Sequence, residues 1–473
     1  MMKKIFFSVV LVSLVTLRVL SQTTMTLRQC VETGIANNFD VKQRELQAHS
    51  DEANWKQSKL NMFPDLNGSA GHSFNQGRSI DPFTNQPVTQ SFNSSNYSIS
   101  SGVILFNGLA VQNNIKQNSL TYQASKMDWQ QEKDNLTINI ILSYLQVLSN
   151  AEQLEQAKNQ ASLSGQQVER LDVLNKEGAI KPSDLSDLKG QYANDQLAII
   201  SFQNSLETAK ITLCQWMNIP YDKDLVLEKI DPESFAATYE GTPDIIYQTA
   251  LEQLSLVKAA NYRMLSAQRG VKVARGQLFP RLTFGGTAYT SYSSVATQNI
   301  FKNTSDVTSE DYVLVNGTPT PVIYKRDNFD ISKINYSDQL NNNLYTSFGF
   351  TLNIPLFNAL IQRNRVKQAK ITLELRQSAV TNTKNQLNQA VNQAYSNMTA
   401  ASGRYKTTLE QVTAYNESFR AAGIRFQQGV GNSIDYLTAK NNLDRANINL
   451  IITKYDYVLR SKILDYYQGR QLW

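Results

Sequence analysis

Histidine is almost missing from this chain: among 473 residues only His49 and His72 occur. Two histidines leave no ligand cluster for a metal and little from which to build a nucleophile-base-acid triad. A glycine-rich phosphate loop ending in Gly-Lys-Ser/Thr is also lacking, so work driven by nucleotide hydrolysis would have to come from a partner. No catalytic residue, metal ligand or cofactor site is therefore assigned, and an enzyme is the remotest class. His49, on a predicted helix, reads as a surface or interhelix residue. Cysteine is equally scarce, and Cys30 and Cys214 are compatible either with one disulfide in an oxidising compartment or with two buried thiols.

Charge is low as well, at 18% of residues with a net +6. Setting aside Lys3, Lys4 and Arg18 leaves 43 basic against 40 acidic residues, too balanced to argue for nucleic acid as a partner. Polarity comes instead from Asn, Gln, Ser and Thr, which suit surfaces packed on protein, walls of a wet lumen, or simply solvated faces. Long apolar runs are absent too. The nearest candidate, Leu136 to Leu148, is interrupted by Asn139, Ser143 and Gln146, which argues against a helical membrane protein. Residues 1–21 read as a signal peptide: Lys3-Lys4, an apolar stretch from Ile5 to Leu17, then small Ser21. That stretch is shorter than the ~20 residues a spanning helix needs. Cys30 lies too far along for a lipoprotein cleavage motif, so export without a lipid anchor is expected.

What the sequence does have is a duplication. Leu105-Phe106-Asn107 returns as Leu356-Phe357-Asn358, and Gly178 with Asp184 returns as Gly429 with Asp435, all at an offset of 251. Upstream, Val41-Lys42 and Phe63-Pro64 recur as Val257-Lys258 and Phe279-Pro280 at an offset of 216, so the second copy carries 35 extra residues between its anchors. Two copies are too few for a solenoid, which needs at least three units to bury a core. The copies span 22–218 and 244–473, joined by a proline-containing linker at 219–243.

Each copy reads as helix, strand, polar loop, strand, very long helix, tight turn and returning helix. The spacing of Val31, Ile35, Val41 and Leu46 predicts one helix from Leu27 to Leu60, ended by Pro64. Strands are expected at Leu66 to Phe74 and Tyr97 to Phe106, around a loop containing Pro82 and Pro87. Phe348, Phe350, Leu352, Ile354 and Leu356 alternate with small or polar residues. That alternation suits a strand of a soluble sandwich, or a transmembrane strand of ~9–11 residues with lipid-facing and lumen-facing sides. From Asn107 to Gly178, and again from Asn358 to Gly429, 71 residues pass without proline. As helix that is ~105 Å, beyond any compact domain, and it favours the membrane reading. Leu109, Val111, Ile115, Leu136, Ile140, Leu154, Leu171 and Leu174 supply an apolar seam too irregular for strict heptads. The returning helices begin near Pro182, at its first turn, and after a cap at Asn432 or Ser433. They run to about Met217 and Tyr467. Most of the extra length, 293–343, reads as a polar surface loop.

Four strands cannot close a barrel, and an open edge would leave backbone groups unpaired in lipid. Two copies of the chain would give eight strands and a filled bore; three would give twelve and a passage. Taken in order and repeated at matching spacings, the Phe-Pro junctions, Leu-Phe-Asn helix entries and Gly-to-Asp turns resemble the TolC-like outer membrane factors. Arg425-Phe426-Gln427-Gln428-Gly429 with Ser433-Ile434-Asp435 is the closest local match.

The resemblance implies an α+β membrane protein that forms, as a homotrimer, a twelve-stranded barrel in outer membrane lipid and a long helical barrel in the periplasm. It implies a passive exit duct for small-molecule substrates, completed by a periplasmic adaptor and an inner-membrane transporter. It further implies a tip and adaptor contact at Gly178, Ala179, Ile180, Gly429, Val430 and Gly431, and an acidic constriction ring of Asp184, Asp187 and Asp435 that favours cations. The glycines also suit helix C-caps, and the aspartates suit first helical turns. Where some members carry a tip-closing aromatic hydroxyl and an arginine, this chain has Phe426 and Gly431. Type I protein secretion through the same architecture, and a non-conducting trimeric stalk or adhesin, are the alternatives. A stalk would want stricter heptads and no membrane-length strands.

Overall fold

The computed structural model describes residues 24–80, 85–89, 91–230, 241–470 and 472. The leader at 1–21, Pro82, part of the linker and Trp473 lie outside them.

The duplication is visible element by element. A shift of 216 carries α1 (Leu27–Asn37) and α2 (Phe39–Leu60) end to end onto α5 (Pro243–Gln253) and α6 (Ser255–Gly276). A shift of 251 carries α3 (Ala110–Lys176) onto α8 (Ile361–Gln427), and the start of α4 (Pro182–Met217) onto that of α9 (Ser433–Tyr467). Each of the two longest helices has 67 residues, about 100 Å at 1.5 Å per residue.

The single helix expected over 27–60 is two. Asn38 ends α1 with its N–H on the Gly34 carbonyl, and its side-chain oxygen accepts from the N–H groups of Asp40 and Val41 at 2.9 and 3.2 Å to restart α2. Asparagine competes with the helix for backbone groups in this way. Leu254 breaks the second copy at the matching place, with the same extended backbone.

The strands are β1 (Asn67–Asn75), β2 (Arg78–Ile80), β3 (Pro87–Thr89), β4 (Phe92–Phe106), β5 (Arg281–Ser293), β6 (Thr297–Val315), β7 (Thr318–Lys333) and β8 (Tyr345–Asn353). Thus β4 begins five residues before the expected Tyr97. β8 stops at Asn353, because Pro355 has no N–H for a ladder. Ile354 and Leu356 therefore lie beyond the strand. The stretch 293–343 is not a loop: β6 and β7 pair as a long hairpin, followed by α7 (Tyr336–Asn342). Its turn is Asn316-Gly317, with φ of +55° and +80°, the two positive values a tight hairpin turn requires.

The compact units cut across the copies. One comprises the described parts of 1–53, 118–267 and 372–473; the other comprises 54–117 and 268–371. The first is helical; one of its cores mixes both copies, with Cys30, Ile140, Tyr144, Leu213, Met217 and Val458 in one cluster, while another, with Ile246, Val257, Val391 and Leu464, is drawn from the second copy alone. Leu136, Ile140, Leu154 and Leu171 of the expected seam are buried, whereas Val111 and Ile115 are half-buried. Leu109 is exposed and precedes α3 with φ +61°. Cys30 and Cys214 are free buried thiols.

The second unit holds a four-stranded antiparallel sheet in the order β1-β4-β5-β8. Gly108, at φ +65°, and Gly276 meet backbone to backbone where α3 begins and α6 ends; a Cβ on Gly108 would lie 2.4 Å from the Gly276 carbonyl oxygen. A side chain at either position would push the two segments apart.

Candidate functional site: the open sheet and the helical turns

The sheet has two chemically different faces. On one, Val103, Phe284 and Phe350 are cross-strand neighbours, with the two phenyl rings 4.9 Å apart. Phe348 and Phe350 are 81% and 70% exposed, so at these positions the apolar face is uncovered by the described residues of the chain. On the other face Asn67, Ser100, Thr287 and Ser347 form one row across all four strands. Ser69 and Ser98 share a hydroxyl contact of 2.7 Å there, and Tyr289 donates to Asn96 at 2.8 Å. Alternation of this kind is what a strand needs between lipid and a wet lumen.

Aromatic side chains gather at both ends of the sheet. At one end the Tyr97 and Tyr336 hydroxyls lie 2.7 Å apart, and Tyr292 packs on Tyr336. At the other stand Phe63, Phe106, Phe279 and Phe357, all exposed; these are the Phe-Pro and Leu-Phe-Asn motifs. Aromatic girdles at both interfaces are the mark of a membrane-embedded sheet. β1 and β8 are edge strands, each with one unpaired row of backbone groups within the chain.

In the helical unit the two expected turns come together around one apolar cluster of Leu171, Leu185, Leu188 and Tyr436, with Phe419 and Phe426 against it. Gly178 and Gly429 end α3 and α8 with φ of +73° and +74°. Ala179 N–H reaches the Leu174 carbonyl, and Val430 N–H the Arg425 carbonyl, at 2.8 and 3.0 Å, closing the last helical turn as a Schellman motif does. A Cβ on either glycine would meet nothing within 4 Å. Ala179 and Val430 are exposed, and Ile180 and Gly431 half-exposed.

The aspartates divide. Ser433 Oγ lies 2.9 Å from both Asp184 Oδ1 and Asp187 Oδ2, and so ties the turns together. Asp435 stands apart in the first turn of α9, where its N–H is capped by Asn432 Oδ1 at 2.8 Å. Asn432 is thus the cap, and Ser433 the link. Phe426 stacks on Tyr436 at 5.0 Å, and the Gly431 N–H bonds to the Arg425 carbonyl.

One turn further along α9 lies a group that sequence reading missed. Lys440, 1% exposed, sits 3.0 Å from Asp195 Oδ2 and 2.5 Å from Asp444 Oδ2. Ser164 and Gln191 donate to Asp195 as well. Burial holds the Asp444 carboxyl above its ordinary range against the pull of Lys440. Burial, then the charges of Asp444 and Asp195, push the Tyr436 phenol up to about 12. The signal was available: Asp195 is seven residues after core Leu188, and Lys440 is four after core Tyr436. Both therefore fall on apolar helical stripes.

Comparison with known proteins agrees with this geometry. The profile of the family described as "Outer membrane efflux protein" matches residues 31–218 and 246–469. Outer membrane protein TolC of Vibrio cholerae is 23% identical over 406 residues, covering 85% of this chain and 81% of that protein. Outer membrane efflux protein BepC of Brucella suis is 21% identical over 403 residues, 84% of this chain and 76% of that protein. Among solved structures, the outer membrane protein VceC of Vibrio cholerae superposes with a TM-score of 0.74 at 13% identity, covering 94% of this chain and 97% of that one. With most of both copies inside the profile and the fold shared over 94% of its length, the chain belongs to the outer membrane efflux protein family.

Proposed function

We propose that three copies of this chain form a passive exit duct in the outer membrane, through which small molecules leave. The observation that carries this reading is the four-stranded sheet, with an uncovered apolar face, a polar face and two open edges. Lipid covers the apolar face at little cost, but open edges in lipid do not persist. Joining edges between copies removes both. Three copies give twelve strands, wide enough for a water-filled passage. Its wall would be built from uncharged residues such as Ser100, Thr287 and Ser347, which discriminate little among solutes. The leader at 1–21 would be removed on export.

The helical turns are the end at which a periplasmic adaptor docks, through Gly178, Ala179, Ile180, Gly429, Val430 and Gly431. The exposed, unhindered backbones of Gly178 and Gly429 support that role. An inner-membrane transporter supplies the energy. The test is the protein-only mass of the chain extracted from outer membranes in detergent, together with conductance in planar bilayers. A mass of three copies and stable conducting steps are expected. A water-soluble monomer would overturn the reading, and a non-conducting trimer would leave a stalk.

A further inference from the structure

The long hairpin of β6 and β7 is fixed at its foot and bare along its length. At the foot, buried Gln339 of α7 accepts from the Ser293 N–H at 2.8 Å and donates to the carbonyls of Ser293 and Ile334 at 3.0 and 2.9 Å. The Ile334 N–H closes the base on the Ala296 carbonyl at 3.2 Å. Beyond it, no residue of either strand is buried among the described residues. A two-stranded hairpin standing alone is marginal in water and needs a further layer to cover it. We infer that this layer is the same hairpin of the neighbouring copies, the three apolar tips meeting face on face as a three-bladed cap above the mouth of the passage. The inference rests on the oligomeric reading above and extends it to a segment that the twelve strands do not include.

The tip determines what kind of cover is needed. From Tyr312 to Tyr324 there is no charged residue, and Tyr312, Val313, Leu314, Val315, Ile323 and Tyr324 are all exposed. The register places Tyr312 and Leu314 opposite Pro321 and Pro319, and Ile323 follows them on that face. Val313, Val315, Val322 and Tyr324 fall on the other, because successive residues of a strand point to opposite sides. Both faces of the tip are therefore apolar. A partner lying on one face would leave the other in water, whereas threefold rotation lays one face of each tip on the opposite face of the next and closes the ring.

Three further features favour a second copy as the occupant. Pro319 and Pro321 remove N–H groups from β7, and prolines of this kind oppose growth of a sheet at its edge, so contact falls to the faces. Just below the tip, Asp306 stands on one face and Arg326 on the other, and among the described residues neither forms an ion pair. Stacking unlike faces brings the acid of one copy toward the base of the next. A lipid surface would ask instead for a cationic collar, and here Asp306, Glu310 and Asp311 border the tip beside Lys325 and Arg326. Reach is sufficient as well. Hairpin feet four strands apart lie about 20 Å from one another at ~4.8 Å per strand, and the 19 residues of β6 extend about 60 Å at ~3.3 Å each.

Cross-linking tests the contact. Stacked β-layers lie about 10 Å apart, so Thr318→Cys, beside the turn, is treated in isolated outer membranes with a bismaleimide that spans about that distance. The unsubstituted chain, whose two thiols are buried, gives the background. Ile323→Asp and Val313→Asp, added separately to Thr318→Cys, place a carboxylate on one face or the other. Light scattering in detergent gives the mass of each variant. Covalent dimers and trimers from Thr318→Cys are expected, lowered at least tenfold by either aspartate while the mass stays that of three copies. A loss caused by one aspartate only, or by neither, would overturn the two-faced contact. Cross-linking to a different protein, or to nothing while the mass is that of three copies, would overturn the meeting of the tips and leave the trimer standing. A monomeric mass for Thr318→Cys would overturn the oligomeric reading itself.

Discussion

Gly178 and Gly429 sit in the left-handed region with open space around the position of a Cβ, so conformation and contact can be separated there. Alanine at such a site costs about 1–2 kcal/mol of backbone strain, while asparagine tolerates the conformation and still adds bulk. Gly178→Asn with Gly429→Asn is therefore expected to keep the detergent-resistant oligomer and to lower adaptor-dependent export at least tenfold, measured as drug susceptibility beside gel mobility. Equal loss of both would leave the glycines only their capping role. The thiols are a second residue-scale case. Burial pushes Cys30 up to about 12. A group whose folded value is raised contributes its stability fully below its ordinary value of 9.0 and loses it as pH rises through the folded value. Native protein at pH 8 is accordingly expected to resist a thiol reagent for hours, and to yield two thiols per chain once unfolded. Rapid native labelling would place Cys30 and Cys214 outside the core.

The helices owe their join near the turns to polar groups as well as apolar ones. Lys440 brings one positive charge between Asp195 and Asp444, with hydrogen bonds from Ser164 and Gln191 completing the site. Removing one partner of a buried ion group leaves the others uncompensated, at a cost of about 3–5 kcal/mol. Lys440→Ala is expected to lose that much in denaturant midpoints at neutral pH. Burial raises the Asp444 carboxyl and Lys440 opposes that rise, so without Lys440 the carboxyl is raised further, and the stability that its protonation restores as pH falls is greater in the variant than in the native protein. The deficit should thus narrow at pH 5, and a pH-independent deficit would mean that packing alone was lost. At this scale the sequence was legible where each residue acts locally: proline-free length set the long helices, and glycine with a following Pro or Asn set the turns. It was illegible where one side chain overrode its neighbours, as when Asn38 divided the first helix and when Asn316-Gly317 folded a polar stretch into a hairpin. Lys440 was legible only in part. Its place on an apolar stripe and Asp444 four residues on are local signals, but a charge on such a stripe signals burial only when all its partners are known, and Asp195 comes from another part of the chain.

For the whole molecule, threefold repetition would convert local groups into rings. Asp184 and Asp187 are already held toward Ser433, and Asp435 lies free of that contact in its own first turn. Three copies would set nine carboxylates around one axis, and a ring of like charges selects ions by sign. Changing Asp184 and Asp435 together to Asn removes six of the nine and leaves the Asn432 cap in place. Reversal potentials across a salt gradient in planar bilayers read the outcome directly, best near 0.01 M salt, where screening extends to about 30 Å. The cation-to-anion permeability ratio is expected to fall several-fold toward one, with little change in single-channel conductance at high salt. An unchanged ratio at low salt would remove these aspartates from the constriction and leave them as first-turn residues that favour the helix dipole. A fall in both quantities together would mean that the turns had rearranged, which Ser433→Ala would then reproduce without changing any charge.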